Sequence, residues 1–240
     1  MNIGVIFAGG VGSRMHSKGQ PKQFLKVNGK PIIAHTLTIF EKSDDIDAVV
    51  ISILPSKIEL MKQIVEDFHL SKVKKIVPGG ETGQLSIYNG LKAAKEVSIN
   101  DNDIVLIHDG VRPLINGIVI KDNIDCVKKN GSAITTAPAK ETFMLVDNDK
   151  KVTKVVDRKN SFIAKAPQSF YLKEILELEE DAIERGYTDI VDSSTLMGMY
   201  NKNLSIIEGP YENIKITTPD DFYMFKALIN ARENEQIFGF

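Results

Sequence analysis

Two stretches of this chain carry residue types that could do chemistry. The first runs Ala8-Gly9-Gly10-Val11-Gly12-Ser13-Arg14-Met15 and is soon followed by Pro21-Lys22-Gln23-Phe24. Glycines let backbone N–H groups approach an anion closely, and Arg14 and Lys22 add fixed positive charge to the same loop, a combination that suits a nucleoside triphosphate. It is not the dinucleotide fingerprint, because Met15 stands in the place of the third glycine and no acidic residue ends the second strand. Nor is it a Walker loop, since the Gly-Lys-Ser/Thr ending is missing. A tight turn with solvated Arg and Lys is the plainer alternative. The second stretch is His108-Asp109-Gly110-Val111-Arg112-Pro113. There Asp109 could hold Mg²⁺, and Arg112 could meet a phosphate or anchor the loop. An Asp at a strand end also serves as a cap or turn former.

Both stretches gain meaning from the elements that must present them. Short apolar, β-branched runs at 3–8, 48–54, 73–77, 104–108 and 133–137 read as strands. Between them, 32–42, 57–69, 84–97 and 119–129 carry apolar residues three and four apart, as amphipathic helices do. The alternation predicts an α/β fold: a Rossmann-like, mostly parallel sheet with helices on both faces. Ligands in such sheets sit beyond the carboxyl ends of the strands, which is where both stretches fall.

One segment departs from this rhythm. Residues 142–146, the turn Asp147-Asn148-Asp149-Lys150, and 152–156 read as a protruding β-hairpin arm spanning about 141–157. A lone ribbon is marginal in water, so this one should pack on something, such as the same hairpin of a second subunit. Helices at 173–185 and 193–200, strands at 204–208 and 214–217, and a helix from Pro219 complete the reading. Residues 232–240 suggest no role beyond packing. A chain of 240 residues with 42% hydrophobic content fits a single domain over 1–240. Its net charge of -2 lacks the basic footprint of a nucleic-acid binder. The single cysteine, Cys126, offers neither a disulfide nor a zinc cluster, and no run is long enough to span a bilayer, so no membrane partner and a cytoplasmic location are expected.

The motifs together resemble the cytidylyltransferases that act on 2-C-methylerythritol 4-phosphate or ribitol 5-phosphate. The resemblance covers nearly the whole length: the glycine loop and Pro-Lys-Gln-Phe, Gly79-Gly80 with Ser86 and Gly90, His-Asp-x-x-Arg-Pro, Glu141-Thr142, Val156-Asp157-Arg158, Ala166-Pro167-Gln168, Asp192, and Asn213-Ile214-Lys215-Ile216-Thr217. It implies that Arg14 and Lys22 stabilise the transition state at the α-phosphate of CTP. It implies CTP contacts from Phe7, Ala8, Gly9, Gly10, Gly12, Gly80, Glu81, Ser86 and Gly110. Arg158 and Lys215 would position the polyol phosphate, with Thr142 where the family contacts the substrate; Asp109 and Arg112 are read beside it, with Mg²⁺ on Asp109 as the residues at that strand end suggest. The arm bearing Arg158 would reach into the partner's site in a homodimer. Without the resemblance, Lys215 between Ile214 and Ile216 reads as the solvent-facing residue of a strand, and Arg158 as a surface residue. His35 reads as a structural histidine, and His108 as a support for Asp109.

The chain departs from the family pattern at two places. Gly83 stands where a GGxxR turn would carry arginine, and Glu141 where an Asp usually precedes the substrate threonine. The Ala-Gly-Gly loop and the Val before Arg-Pro lean toward the ribitol 5-phosphate enzymes, whose CDP-alcohol feeds teichoic-acid or capsule polymers; the methylerythritol enzymes, of isoprenoid synthesis, are the alternative. A nucleotide-binding regulatory module without turnover is a reading of another class, and a nucleotidyltransferase for a sugar 1-phosphate using UTP or another base is a third.

Overall fold

A computed structural model describes residues 1–10 and 20–238, with side chains described as far as Arg232. The sequence-predicted site residues Gly12 and Arg14 lie outside the described residues, as do the side chains of 233–240.

The strands are β1 (Asn2–Ala8), β2 (Lys26–Val27), β3 (Lys30–Pro31), β4 (Ala48–Ile53), β5 (Val73–Pro78), β6 (Ile104–Asp109), β7 (Ser132–Pro138), β8 (Met144–Val146), β9 (Val152–Val155), β10 (Phe162–Tyr171) and β11 (Ile206–Glu208). The helices are α1 (Ile32–Lys42), α2 (Ile58–Asp67), α3 (Gly83–Val97), α4 (Gly117–Asn130), α5 (Leu172–Glu184), α6 (Ser193–Met199) and α7 (Pro219–Phe238). Among the described residues the main sheet has the order β11-β7-β10-β6-β1-β4-β5. Its neighbours run parallel except at β10, which is antiparallel to both β6 and β7.

The alternation along each strand divides the core. Ile6, Leu106 and Ile51 face α1, α2 and α4, whereas Val5, Val105, Ile107 and Val50 face α3, α5 and α6. That is why β1, β4 and β6 read as unbroken apolar runs: each is covered on both faces. A smaller cluster of Val27, Ile32, Val111, Leu114, Ile216 and Phe225 fastens α7 to the loop after β6.

Two expectations need correction. No strand forms at 214–217; that segment is tied to the loop after β6 by the Ile216 N–H donating to Val111 O at 3.0 Å, and Thr217 N–H donates to Asp221 Oδ2 at 2.8 Å. Conversely, the ten-residue β10 was not anticipated. It contains Lys165, Pro167, Gln168 and Ser169, its register shifts between Ala164 and Gln168, and within the described main sheet it alone runs antiparallel to its neighbours, so it lacks the apolar pattern of the parallel strands. Its polar groups are satisfied from neighbours: Ser169 Oγ donates to Asn123 Oδ1 at 2.8 Å, and Thr135 Oγ1 to Pro167 O at 2.7 Å. The predicted hairpin is present as β8 and β9, and Phe143, Met144, Leu145, Val146, Val152 and Val155 on it are exposed.

Candidate active site

At the carboxyl ends of β1, β5 and β6, the described start of the glycine loop, Ala8 to Gly10, and the turn from Gly80 to Gly83 line a cavity of about 240 Å³. Gln23, 1% exposed, donates from Nε2 to Ala8 O at 2.8 Å and Gly10 O at 3.3 Å, fixing where the glycine loop leaves β1. Ser86, on the first turns of α3, accepts from the Gly80 N–H at 3.1 Å and donates to Thr82 O at 2.9 Å. Thr82 caps α3 by accepting from the Leu85 N–H. The two loops approach so closely that a Cβ on Gly9 would lie 2.5 Å from Ser86 Oγ, which explains the glycine there.

Of the expected CTP contacts, Phe7, Ala8, Gly9 and Gly10 line one side of this cavity, and Gly80, Glu81 and Ser86 another. Lys22 lines it too. Gly110 lines neither this cavity nor the next; it lies beneath, donating its N–H to Phe7 O and accepting from Thr36 Oγ1.

Asp109 ends β6 and is 5% exposed. Its Oδ2 accepts from Arg112 Nε at 2.7 Å and its Oδ1 from Lys215 Nζ at 2.6 Å. Burial alone would raise its pKa, but the Arg112 and Lys215 charges outweigh burial and hold it down at about 2. Arg112 also donates from Nη1 to Asn213 O at 3.0 Å, so it anchors the loop that carries Lys215. His108 is fully buried, its Nε2 meets Arg112 O at 3.0 Å, and burial lowers its pKa to about 4. It is a neutral prop for the Asp109 turn. His35 is structural as well, against Val27 O and the edge of the Phe225 ring.

A second cavity, also about 240 Å³, shares Phe7, Gly83, Asp109 and Lys215 with the first and extends over Arg112, Lys165, Gln168 and Asp192. Two compartments therefore meet at the Asp109 and Lys215 pair, with cations at the seam. Thr142 and Arg158 line neither compartment; both are exposed at the base of the arm, where Arg158 Nη1 donates to Lys140 O at 3.4 Å.

Among the described residues no group of three or more His, Cys, Asp or Glu gathers in metal-binding proximity. Asp109 borders both cavities, but each of its carboxylate oxygens already meets a cation, Arg112 or Lys215, so a Mg²⁺ ion beside it would take most of its ligands from substrate phosphates and water. Gln23, Lys165, Gln168 and Asn213 shape the site without having been assigned roles from sequence. Three of the four lie inside the recognised motifs, which was the available signal; Lys165 carries none beyond its position beside Ala166-Pro167-Gln168.

The sequence profile of the family described as "IspD: 2-C-methyl-D-erythritol 4-phosphate cytidylyltransferase" matches residues 3–231. The chain is 64% identical over 239 residues to a ribitol-5-phosphate cytidylyltransferase of Streptococcus agalactiae serotype Ia, covering 100% of both chains. It is 51% identical to the ribitol-5-phosphate cytidylyltransferase of Vibrio parahaemolyticus, again over 100% of both. To a 2-C-methyl-D-erythritol 4-phosphate cytidylyltransferase of Clostridium botulinum it is 35% identical, covering 95% of this chain and 97% of that one. Among solved structures, the 4-diphosphocytidyl-2C-methyl-D-erythritol synthase of Anaerococcus prevotii superposes with a TM-score of 0.83 at 26% identity, covering 96% of each chain.

Proposed function

The chain belongs to the IspD family of cytidylyltransferases, and we propose that it transfers the cytidylyl group of CTP to D-ribitol 5-phosphate, releasing pyrophosphate and forming CDP-ribitol. The observation that carries the acceptor is the full-length likeness to ribitol-5-phosphate enzymes, at 64% and 51%, against 35% for a methylerythritol relative. The Ala-Gly-Gly loop and the Val111 before Arg112 point the same way.

The attacking phosphate oxygen is already ionised at neutral pH, so the reaction needs alignment and charge neutralisation rather than a strong base. CTP occupies the first cavity, its triphosphate against the glycine loop. Lys22, and by resemblance Arg14, offset charge building on the α-phosphate and the leaving pyrophosphate. Lys215 holds the acceptor phosphate at the seam, in line with the α-phosphate, and Asp109 with Arg112 fixes the position of Lys215. Mg²⁺, held by Asp109 together with substrate oxygens, would supply further neutralisation of the triphosphate.

The exposed apolar arm supports a homodimer in which Arg158 and Thr142 complete the partner's acceptor site. Among the described residues no helix is long and apolar enough to cross a membrane. We place the reaction in the cytoplasm, on one nucleotidyltransferase domain. Pyrophosphate release that requires both CTP and ribitol 5-phosphate, with UTP inactive, tests the reaction class; no release with any polyol phosphate despite CTP binding would favour the regulatory module.

A further inference from the structure

We propose that Lys165 binds a hydroxyl oxygen of the polyol chain in the second cavity and so helps select the acceptor; this rests on the cytidylyl-transfer reading of the site. Lys165 sits on β10, is 8% exposed, and nevertheless lines that cavity. Its Nζ donates to Tyr211 O at 2.8 Å and Asn213 O at 3.3 Å. An ammonium carries three N–H donors: two go to these carbonyls, and beyond them Nζ meets only the Tyr211 ring, 4.9 Å from its centroid, among the described residues. Burying a charge is costly unless its hydrogen bonds are made, and a ligand oxygen would complete the set.

The rest of the lining fits a chain of alternating C–H and O–H groups. Ser193 Oγ is buried without a hydrogen-bond partner among the described residues, and Ser193 lines the same cavity. Asp192 and Gln168 are held rigid there, Gln168 Nε2 donating to Asp192 Oδ2 at 3.1 Å while Gln168 Oε1 accepts from the Ser194 N–H at 2.8 Å. Ile87 and Ile107 add apolar surface. The acceptor phosphate must lie at the seam beside Lys215, where CTP is reached, which leaves the Lys165 end for the polyol hydroxyls.

The test is the acceptor KM of Lys165→Met, set beside the CTP KM and the inhibition constant of inorganic phosphate competing with the acceptor. Loss of a charged donor to the polyol should raise the acceptor KM about 10- to 100-fold, with the phosphate constant and the CTP KM moving less than about twofold. Lys165→Gln, which retains a donor for the 211–213 carbonyls, should show the same split. An unchanged acceptor KM in both variants would overturn the proposal. So would a parallel rise of acceptor KM and phosphate constant, the mark of a loop that has merely lost its anchor. A wild-type preference for 2-C-methyl-D-erythritol 4-phosphate would instead overturn the acceptor proposed above, and Lys165 would be judged by the same constants with that substrate.

Discussion

Lys215 Nζ donates to Asp109 Oδ1 at 2.6 Å, joining the loop before α7 to the end of β6, and both residues line both cavities. Lys215 is exposed, as its place between Ile214 and Ile216 suggests, but it belongs to no strand and its ammonium is tied to Asp109. Asp109 aims it, and Arg112 on the other carboxylate oxygen leaves the three-residue cluster with one net positive charge where two phosphates must meet.

Lys215→Ala should raise the KM for the polyol phosphate by about tenfold or more while changing the CTP KM far less, the loss of one charge-assisted hydrogen bond. Initial-rate kinetics with each substrate varied check this. Equal changes in both constants would contradict the assigned role.

Lys22→Ala should lower kcat by about 10²- to 10³-fold, as removal of a group that meets developing charge does, with circular dichroism unchanged. Near-normal turnover would remove Lys22 from the chemistry.

Gln23→Leu should weaken CTP binding without touching any charged group. The Ala8 and Gly10 carbonyls would lose their donor, a cost of about 1–3 kcal/mol in stability, and the glycine loop its fixed exit angle. Thermal melts and the CTP KM read the two effects, and an unaltered CTP KM would contradict the clamp.

If the arm completes the neighbouring site, mixed Lys22→Ala and Arg158→Ala chains should recover about a quarter of wild-type activity after reassociation, since half the dimers are mixed and each carries one intact site. No recovery from the mixture, with dimers present in scattering, would place Arg158 in its own subunit's site, and full activity of Arg158→Ala chains alone would place it in none.

Two buried groups give opposing pH dependences. Burial lowers the His108 pKa from 6.5 to about 4, so its contribution to stability is complete above 6.5 and is lost as pH falls toward 4. Burial raises Glu179 from 4.5 to about 7 against the opposing hydrogen bond from Gln84, so its contribution is complete below 4.5 and is lost as pH rises through 7. Glu179→Gln should thus be more stable than wild type at pH 8, by up to about 3 kcal/mol, and nearly equal to it at pH 4.5. Parallel melting profiles across that range would contradict this.

Helix α1 was legible at both ends in the sequence, because Pro31 starts it and its apolar face is regular. The glycine loop and the Asp109 turn were legible because their residue types state their chemistry. β10 was not, because Ser169 and the Pro167 carbonyl are satisfied by Asn123 and Thr135, partners more than twenty-five residues away that no local pattern reveals. Lys165 and Gln23 escaped for the same reason: each acts through long-range side-chain bonds to backbone carbonyls. The segment 214–217 misled because its alternation, Ile214 and Ile216 about Lys215, is that of a strand, although it serves to seat Ile216 in the α7 cluster and Lys215 on Asp109.

The central claim is tested most directly by offering the protein CTP and Mg²⁺ with equal concentrations of D-ribitol 5-phosphate and 2-C-methyl-D-erythritol 4-phosphate in one reaction, and weighing the products by mass spectrometry. CDP-ribitol in large excess is the predicted result. A mixture dominated by the methylerythritol product would contradict the proposed acceptor.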